Sequence, residues 1–404
     1  MANVSSSNGL EKYPKLRFKG FSEPWKKTPF SKLYRYVSEK NDGSLGVDKI
    51  ISVANMYFKP DARISDEEYL RTYNVFRLGD IAFEGNKSKN FAFGRFVENT
   101  IGDGIVSHVF VVFRPLHHDH NLGYWKYAIN NENVMGRILA RCTKKTTMMT
   151  NLVSDDFLEE EMFCPSNAEQ RKISSFLELL ERKIDAQIKL VEHLKKYKRG
   201  IIKEFLTPQT CPIKNAVWNE APIGELGTFV KGAPLSKADI SDEGTPFILY
   251  GELYTTYGEV INKVVRRTQK NVDNVYLSRI GDVLIPTSGE TPEEISTASS
   301  VIVSGVILAG DLNIFRTSKV DGRIMSYVLN HIVNGNIARI AQGKSVVHIQ
   351  ASEISKISIS YPDKNTQQQL ITVFDGISEK IALAEESLAK MIMLKKSLIQ
   401  KMFI

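Results

Sequence analysis

The sequence carries one pattern twice, and this duplication restricts the possible folds more than any other feature. Residues 165–206 align with residues 362–403 without a gap, at an offset of 197 residues. In both copies apolar residues recur every three or four positions, which is the spacing of one helix face. Polar residues after Pro165 and Pro362 are typical of helix starts, and Pro208 stops the first helix. The sequence therefore predicts two equivalent helices of about 40 residues, each about 60 Å long.

The duplication extends to the segments that precede the two helices. A W-x3-P-[FI]-x2-L-x3-V pattern begins at Trp25 and again at Trp218, and Gly79-Asp80 recurs as Gly281-Asp282. The offset between the copies varies between 193 and 202 residues, as insertions in surface loops would cause. Each half of the chain therefore consists of a globular part followed by a long helix.

Both globular parts mix predicted strands and helices. The β-branched and apolar runs at 106–113 and 301–308 predict strands, and residues 324–334 predict a helix. The predicted fold class is α/β (α+β), with two pseudo-repeated globular domains joined by two long helices that form an antiparallel coiled-coil spacer. The predicted boundaries are 1–19 for an N-terminal extension, 20–162 for the first globular domain, 163–208 for the central helix, 209–217 for a linker, 218–361 for the second globular domain and 362–404 for the C-terminal helix.

Two packing arrangements are open for the apolar stripes of the long helices. Either each stripe packs on its own globular domain, or the two stripes pack on each other with nearly the 3.5-residue repeat of a coiled coil. Their matching lengths and patterns favour helix pairing, because a small domain covers only part of a helix about 60 Å long. The residues predicted to pair the helices are Ile173, Leu177, Leu180, Ile184, Val191, Leu370, Phe374, Ile377, Ile381 and Leu388.

The composition excludes several classes of protein. A length of 404 residues indicates two or three domains, and a formal charge of +7 suits a polyanionic partner but also fits an ordinary solvated surface. The three cysteines, Cys142, Cys164 and Cys211, lack the spacing of a disulfide framework or a zinc site. We predict a reducing, cytoplasmic location, because the N-terminus has no apolar signal region and no apolar run reaches the roughly 18 residues that span a bilayer.

A relaxed phosphate-loop pattern occurs at Ala338-x4-Gly343-Lys344-Ser345. A nucleotide-binding loop follows a strand and precedes a helix, so that the helix N-terminus faces the phosphates. Here residues 325–340 predict a helix and residues 346–349 predict a strand, which is the reverse order. The equivalent segment of the first half, 144–149, lacks the motif. We therefore predict a small cationic loop that contacts a phosphate backbone or a base edge and does not hold a nucleotide.

The sequence contains no recognisable arrangement of catalytic or metal-ligating residues. Adjacent histidines in His117-His118-Asp119-His120 point in different directions, and no second cluster completes a ligand shell, so we predict a solvated loop and no metal. The motifs of an amino-methyltransferase, a G-x-S-x-G hydrolase and a carboxylate nuclease are also absent from the sequence. We therefore predict no catalytic residues and a recognition or scaffold role.

Cations and planar polar side chains collect in the globular halves. Reading a DNA groove requires positive charge for the phosphates and hydrogen-bonding groups for the base edges. Each of these residues taken singly also fits an ordinary surface position. The candidate DNA-binding residues are Lys87, Lys89, Arg95, Lys144, Lys145, Thr146, Tyr254, Tyr257, Ser288, Arg339, Lys344, Ser345 and His348.

Several local motifs resemble those of a known family. They are Pro14-Lys15-Leu16-Arg17-Phe18-Lys19-Gly20-Phe21, Ala168-Glu169-Gln170-Arg171-Lys172-Ile173, Gly343-Lys344-Ser345-Val346-Val347-His348-Ile349 and Gln367-Gln368-Gln369. Together with the order of domain, helix, domain, helix, they resemble the specificity subunit of type I DNA restriction–modification systems. The resemblance covers essentially the whole chain after residue 13. The first half departs from the family pattern at 146–150, where threonines and methionines replace a glycine-containing loop.

The resemblance implies a non-catalytic subunit that binds double-stranded DNA sequence-specifically. Two target recognition domains would each read one half of a bipartite, asymmetric site, and the paired helices would set the gap between the halves. Two modification subunits, which bind S-adenosylmethionine and methylate adenine, and ATP-driven restriction subunits would dock on this chain, which would itself hold no cofactor and contact no membrane. The alternatives are a coiled-coil protein-interaction scaffold without DNA binding and an ATP-binding enzyme that uses Lys344.

Overall fold

The chain divides into two compact units, and each contains one globular part. The computed structural model describes residues 2–3, 13–62, 67–146, 149–341 and 347–404. The first unit comprises residues 1–188 and 386–404, and the second comprises residues 189–385. The division falls inside both long helices, whereas the sequence predicted domains that end where each helix begins.

The first unit contains fourteen short strands and three short α-helices in its described residues, and the first long helix begins in it. They are β1 Ala2–Asn3, β2 Leu16–Arg17, β3 Lys26–Pro29, β4 Tyr34–Val37, β5 Ile51–Ser52, β6 Tyr57–Phe58, β7 Asn74–Phe76, β8 Ile81–Glu84, β9 Arg95–Glu98, β10 Gly104–Val106, β11 Val111–Pro115, α1 Leu122–Ala128, α2 Glu132–Cys142, β12 Thr143–Lys145, β13 Thr150–Leu152, α3 Ser154–Glu159, β14 Glu161–Cys164 and α4 Asn167–Phe205.

The second unit contains the remaining strands and helices, and the second long helix begins in it. They are β15 Trp218–Pro222, α5 Ile223–Leu226, β16 Gly227–Lys231, β17 Thr245–Leu249, α6 Glu252–Thr255, β18 Val260–Ile261, β19 Arg266–Thr268, β20 Asp282–Pro286, β21 Ser288–Gly289, α7 Pro292–Ile295, β22 Ser299–Val301, β23 Ile307–Ala309, β24 Leu312–Thr317, α8 Gly322–His331, α9 Asn334–Ile340, β25 Val347–His348, α10 Ala351–Ile354, β26 Ser358–Pro362 and α11 Lys364–Met402.

The main sheets of the two units share one topology. The first sheet has the order β4-β11-β8-β9 and is antiparallel throughout. The second has the order β16-β24-β20-β22, with the same antiparallel pairings, and adds β18 in parallel to β22. In each unit the strand that precedes the sheet also pairs with the strand that precedes the long helix, as β3 with β14 and as β15 with β26. The duplication in the sequence is therefore a duplication of the fold.

The prediction of one continuous strand at 106–113 and another at 301–308 was wrong. Each run is divided between two strands, with β10 ending at Val106 and β11 beginning at Val111, and with β22 ending at Val301 and β23 beginning at Ile307. A backbone hydrogen bond of 3.1 Å from Phe110 N to Ser107 O closes the first turn. Polar turn residues inside the apolar runs therefore interrupt the strands.

A buried aspartate–arginine ion pair occupies the same position in both units. Arg114 Nη2 lies 2.9 Å from Asp80 Oδ2, and Arg316 Nε lies 3.3 Å from Asp282 Oδ1. Asp80 immediately precedes β8 and Asp282 begins β20, whereas Arg114 and Arg316 lie on β11 and β24, the strands that pair with β8 and β20. Burial raises the pKa of each aspartate, and the arginine and a backbone N–H oppose that rise. The ion pair therefore ties two neighbouring strands together in each copy of the fold.

Both long helices have the same first-turn contact. Gln170 Nε2 donates to the carbonyl oxygen of Pro165 at 3.2 Å, and Gln367 Nε2 donates to that of Pro362 at 2.8 Å. Each helix contains 39 residues. Within the described residues, no helix is both long enough and apolar enough to cross a membrane.

In each unit the beginning of one long helix packs against the end of the other in an antiparallel arrangement. In the first unit Lys395 Nζ lies 2.6 Å from Glu181 Oε1. In the second unit Lys195 Nζ lies 2.6 Å from Glu385 Oε1, and the rings of Phe205 and Phe374 lie 6.3 Å apart. Residues of both helices also enter the core of each globular part. In the first unit these are Ile173, Leu177, Leu398, Ile399, Met402 and Phe403, and in the second they are Ile202, Leu206, Leu370 and Phe374.

The two packing arrangements that the sequence left open therefore occur together. Ile173, Leu177, Leu370 and Phe374 were predicted to pair the helices, and they also pack into the globular cores. Ile184, Val191 and Ile381 are buried outside those cores, whereas Leu180, Ile377 and Leu388 are only half-buried. Helical periodicity identifies the buried face, but it does not identify what covers that face.

A lysine from each long helix packs on a tyrosine of the opposite copy. Lys198 Nζ lies 5.4 Å from the ring centroid of Tyr327, and Lys395 Nζ lies 5.4 Å from that of Tyr127. The two lysines occupy equivalent positions in the repeat. The long helix of each copy therefore packs on the globular part of the other copy.

Each of these lysines also binds a glutamate whose charged form is stabilised. Lys126 and Lys395 bind Glu181, and Lys198 and His331 bind Glu259. Burial raises the pKa of both carboxyls, but the hydrogen bonds and charges of these partners lower it more. The pKa of Glu181 and the pKa of Glu259 therefore both lie at about 2.

We expect Glu181→Gln and Glu259→Gln each to lower the free energy of unfolding at pH 7 by about 2 kcal/mol. Each folded-state pKa lies below the unfolded value of about 4.3, so the stabilisation is present above that pH and is lost as the pH falls toward 2. Urea unfolding between about pH 4.5 and pH 2 should show a flatter pH dependence for the variants than for the parent. Glu192→Gln, an exposed position on α4, is the control and should follow the parent. Parallel curves of unfolding free energy against pH for all four proteins would contradict the stabilising role assigned to Glu181 and Glu259.

Candidate nucleic-acid interface

Two polar segments of the first unit lie side by side. The segment 85–94 follows β8, and the β12–β13 hairpin follows α2. Thr150 N donates to the carbonyl oxygen of Gly85 at 2.9 Å, and Asn86 forms an isolated bridge with Met149. A Cβ on residue 85 would lie 2.2 Å from the oxygen of Thr150, so only glycine permits this approach. We call these two segments, together with Arg95 at the start of β9, the first polar site.

The first polar site brings most of the predicted cations of its unit together. Lys87, Lys89, Lys144 and Lys145 are all exposed. Lys87 Nζ donates to the carbonyl oxygen of Thr146 at 3.1 Å, which connects the two segments. The four ammonium groups therefore lie on two adjacent segments, as a surface that binds phosphates requires.

Aromatic rings support the cations of the first polar site. Lys145 Nζ lies 5.7 Å from the ring centroid of Phe93, and the Arg95 guanidinium lies 5.1 Å from that of Phe91. Arg95 Nε also donates to Glu84 Oε2 at 2.7 Å, so its charge is partly neutralised. The two phenylalanines were not among the predicted site residues. Their position between Lys89 and Arg95 forms a cation–aromatic pattern that is visible in the sequence.

The second unit has a polar site at the equivalent place, which we call the second polar site. β21 pairs with β25, so that Ser288 lies opposite His348. Ser288 Oγ donates to Asp311 Oδ2 at 2.8 Å, and His348 is exposed. Arg339 is exposed on α9, close before this strand pair in the chain. Lys344 and Ser345 were also predicted here, but they lie outside the described residues.

A cavity of about 980 Å³ adjoins the second polar site. Tyr254 lines it, together with Tyr250, Arg266, Glu290 and Asp311. Arg266 Nε lies 2.9 Å from Glu252 Oε1, so the arginine is not a free cation. The second polar site therefore combines hydroxyl, imidazole and carboxylate groups, whereas the first polar site is dominated by lysines.

Tyr257, which was predicted as a DNA contact, is half-buried and is hydrogen-bonded within the second unit. Its phenol oxygen accepts a hydrogen bond of 3.1 Å from Val265 N, and its ring packs against the core around Ile248 and Leu284. Burial raises the pKa of its hydroxyl, whereas the hydrogen bond from Val265 N opposes that rise. The sequence analysis did not distinguish Tyr257 from Tyr254, because the two residues lie three positions apart in one polar segment.

The two polar sites occupy the same place in the shared topology. In each unit the strand at the buried aspartate, β8 or β20, continues into a short segment. That segment pairs with residues that follow a helix, which is α2 in the first unit and α9 in the second. The pattern noted at Gly343-Lys344-Ser345 lies outside the described residues, but a helix precedes it and a strand follows it, as predicted. That order is the reverse of the order in a nucleotide-binding phosphate loop.

The solvated loop predicted at His117–His120 was wrong for its last histidine. His120 is largely buried, its Nε2 lies 2.5 Å from Glu98 Oε1, and its ring stacks on Trp125. Burial lowers the pKa of His120 to about 4 and raises that of Glu98 well above its usual value. In the described part of the chain, no group of three or more histidine, cysteine or acidic side chains is arranged to hold a metal ion.

Comparison with known proteins connects this arrangement to one family. Residues 215–391 match the family model described as the type I restriction modification DNA specificity domain. The structure is similar to that of the S subunit of a type I restriction–modification system from M. genitalium, with 15% identity, a TM-score of 0.53, and coverage of 97% of this chain and 99% of that chain. It is also similar to a chain from a structure of type I complex assembly and conformational transition, with 16% identity, a TM-score of 0.59, and coverage of 94% and 97%. No curated protein sequence matches the chain. The second half of the chain therefore matches the type I restriction modification DNA specificity domain, and the fold of nearly the whole chain is similar to that of these two solved chains.

Proposed function

We propose that this chain reads a bipartite, asymmetric site in double-stranded DNA and positions the enzymes that act there. One observation carries the proposal: the same fold presents an exposed polar site at the same topological place twice. A chain with two equivalent reading surfaces is suited to two half-sites, and linking them on one molecule raises the affinity through effective concentration.

The chemistry of the two polar sites supports an asymmetric target. Lysines bind phosphates and the O6 and N7 acceptors of guanine. The second polar site instead offers His348 and the exposed carboxylates of Glu290 and Asp311, while Ser288 is buried and orients Asp311. Carboxylates accept hydrogen bonds from the amino group of cytosine. The two half-sites therefore have different sequences in this proposal.

The two long helices are the proposed spacer. Each has 39 residues, which corresponds to about 58 Å at 1.5 Å per residue. This length exceeds one turn of DNA, which is about 34 Å. Residues of both helices enter the core of each unit, which suits a spacer that runs from one unit into the other.

Exposed apolar residues on the long helices support docking of partner subunits. Ile392, Met393 and Leu394 are consecutive and are each at least half exposed. Leu179 on α4 and Leu383 on α11 are also about 60% exposed. Apolar surface of this kind is typical of protein interfaces. We propose that two modification subunits dock on these helices and supply S-adenosylmethionine and the methyl transfer, that restriction subunits supply ATP-driven activity, and that this chain is non-catalytic.

Selection from a pool of randomised duplexes tests the proposal. We expect the full-length chain, alone or with its modification subunit, to enrich duplexes with two conserved blocks separated by a fixed number of arbitrary base pairs. Changing that gap by one or two base pairs should weaken binding by at least tenfold, because a rigid spacer cannot follow the change. Enrichment of a single uninterrupted block would contradict the bipartite site. Salt-insensitive assembly with partner proteins and no DNA retention would instead favour a protein-interaction scaffold.

A further inference from the structure

A groove in the first unit continues from the first polar site to the end of α11. Its volume is about 880 Å³. Lys89, Phe91 and Arg95 of the first polar site line one part of it, and Lys395, Lys396 and Gln400 line another. The groove therefore connects the predicted DNA-contacting segment to α11. The sequence predicted α11 only as a spacer that pairs with the other long helix.

The charges that line this groove favour an anionic occupant. Lys126 and Lys395 are engaged by Glu181, but Lys396 is exposed and has no ion-pair partner among the residues that the structure describes. The side chain of Glu98 is fully buried against His120, so it does not present a charge to the groove. Exposed amide groups of Asn55, Asn90 and Asn133 and the half-buried carboxyl of Glu132 also line the groove, in which the described cationic residues still outnumber the described acidic ones by five to three.

The corresponding groove of the second unit has the opposite character. It lies beside the equivalent lysine–tyrosine pair, Lys198 and Tyr327, and its volume is about 490 Å³. Glu259, Asp375 and Glu379 line it, and Lys198 is its only lining cation in the described part of the chain. An anionic strand is therefore repelled at this position and attracted at the first.

We propose that the sugar–phosphate backbone of the bound DNA lies in the first groove, and that Lys396 of the C-terminal helix contacts a phosphate there. The inference rests on the proposed DNA binding and adds a contact that only one of the two copies makes. Lysine and asparagine side chains are typical donors to phosphate oxygens, and such contacts fix the register of the duplex. Lys396 thus anchors the first half-site, whereas the groove of the second unit presents mainly carboxylates.

The repeat supplies a matched pair of variants for the test. Arg199 on α4 occupies the position equivalent to Lys396 on α11, and both are exposed. We expect Lys396→Ala in the full-length chain to weaken binding to a duplex of arbitrary sequence roughly fivefold at about 0.15 M salt, and to reduce the slope of log K against log salt by about one. Arg199→Ala should change neither quantity. Fluorescence anisotropy over a salt series measures both.

The outcomes distinguish this inference from the proposed function. Failure of the parent chain to bind DNA at all would overturn the proposed function and the inference together. Normal binding by the parent with equal slopes for parent, Lys396→Ala and Arg199→Ala would overturn the inference alone. Equal losses for both variants would also overturn it, because the contact would then not be specific to the first copy. Lys396→Glu should weaken binding further than Lys396→Ala, and thermal melting should show that all variants fold as the parent does.

Discussion

Replacing Lys87, Lys89, Lys144 and Lys145 together by alanine is expected to weaken duplex binding roughly 100- to 1,000-fold at about 0.1 M salt. The four side chains are exposed on the two adjacent segments of the first polar site. Each lysine that neutralises one phosphate releases counterions and contributes about 0.9 to the salt slope. The quadruple variant should therefore lose roughly three to four units of slope, which anisotropy titrations between about 50 and 200 mM salt measure.

A second set of four lysines in the same unit is the matched control. Lys15, Lys19, Lys26 and Lys27 are also exposed, but they lie at or near β2 and β3, outside the first polar site. Their joint replacement by alanine changes the net charge by the same amount and should leave most of the affinity intact. If both quadruple variants lost the same affinity and the same salt slope, DNA binding would depend on net charge alone. The first polar site would then not be the interface.

Arg114→Met is expected to lower the free energy of unfolding by about 3–5 kcal/mol, because it leaves the buried carboxylate of Asp80 without its cation. Asp80 is essentially inaccessible to solvent, and burial already raises its pKa. Without the arginine that pKa rises further, and the carboxyl is protonated at a higher pH. A group with a raised folded-state pKa loses stability as the pH increases, so the variant should recover part of its stability when the pH falls from 7 to about 4.5.

Three further variants sharpen this test. Replacing both partners, as in Asp80→Asn with Arg114→Met, should recover much of the loss, since no buried charge remains. Arg141→Met removes an exposed arginine that binds Glu160, and such surface pairs contribute at most about 1 kcal/mol. Urea unfolding at pH 7 compares all of them. A loss for Arg114→Met no larger than that for Arg141→Met would contradict the assigned role of the ion pair. The equivalent Arg316→Met should destabilise the second unit in the same way.

The sequence was most informative where the two copies could be compared. Gly79-Asp80 and Gly281-Asp282 were recognisable as equivalent, and both aspartates lie at the start of equivalent strands, Asp80 just before β8 and Asp282 as the first residue of β20. Their arginine partners were not recognised, because each lies 34 residues further along the chain and meets its aspartate only when distant strands pair. Local patterns identify strands and helices, whereas partners across a sheet depend on topology.

In the candidate interface, too, some features are visible in the local sequence and others depend on contacts between distant residues. The exposed lysines of the first polar site were identified from composition, because charge and solvation are properties of single residues. Two other features depend on contacts that no local pattern encodes. They are the hydrogen bond from Val265 N to Tyr257 and the burial of His120 against Glu98. The helix stripes were identified correctly as buried faces, but the cores that cover their ends were not.

The exchange of helices between the two units has a consequence for folding during synthesis. Leu398, Ile399, Met402 and Phe403 complete the core of the first unit, and the ring of Phe403 stacks 5.3 Å from that of Tyr124. A ribosome makes these residues only after it has made all of residues 189–385. Domains generally fold in the order in which they are made, but here the earlier unit must wait for the later one. The nascent first unit therefore exposes an apolar face throughout synthesis of the second, and it is during this interval that a chaperone would be needed.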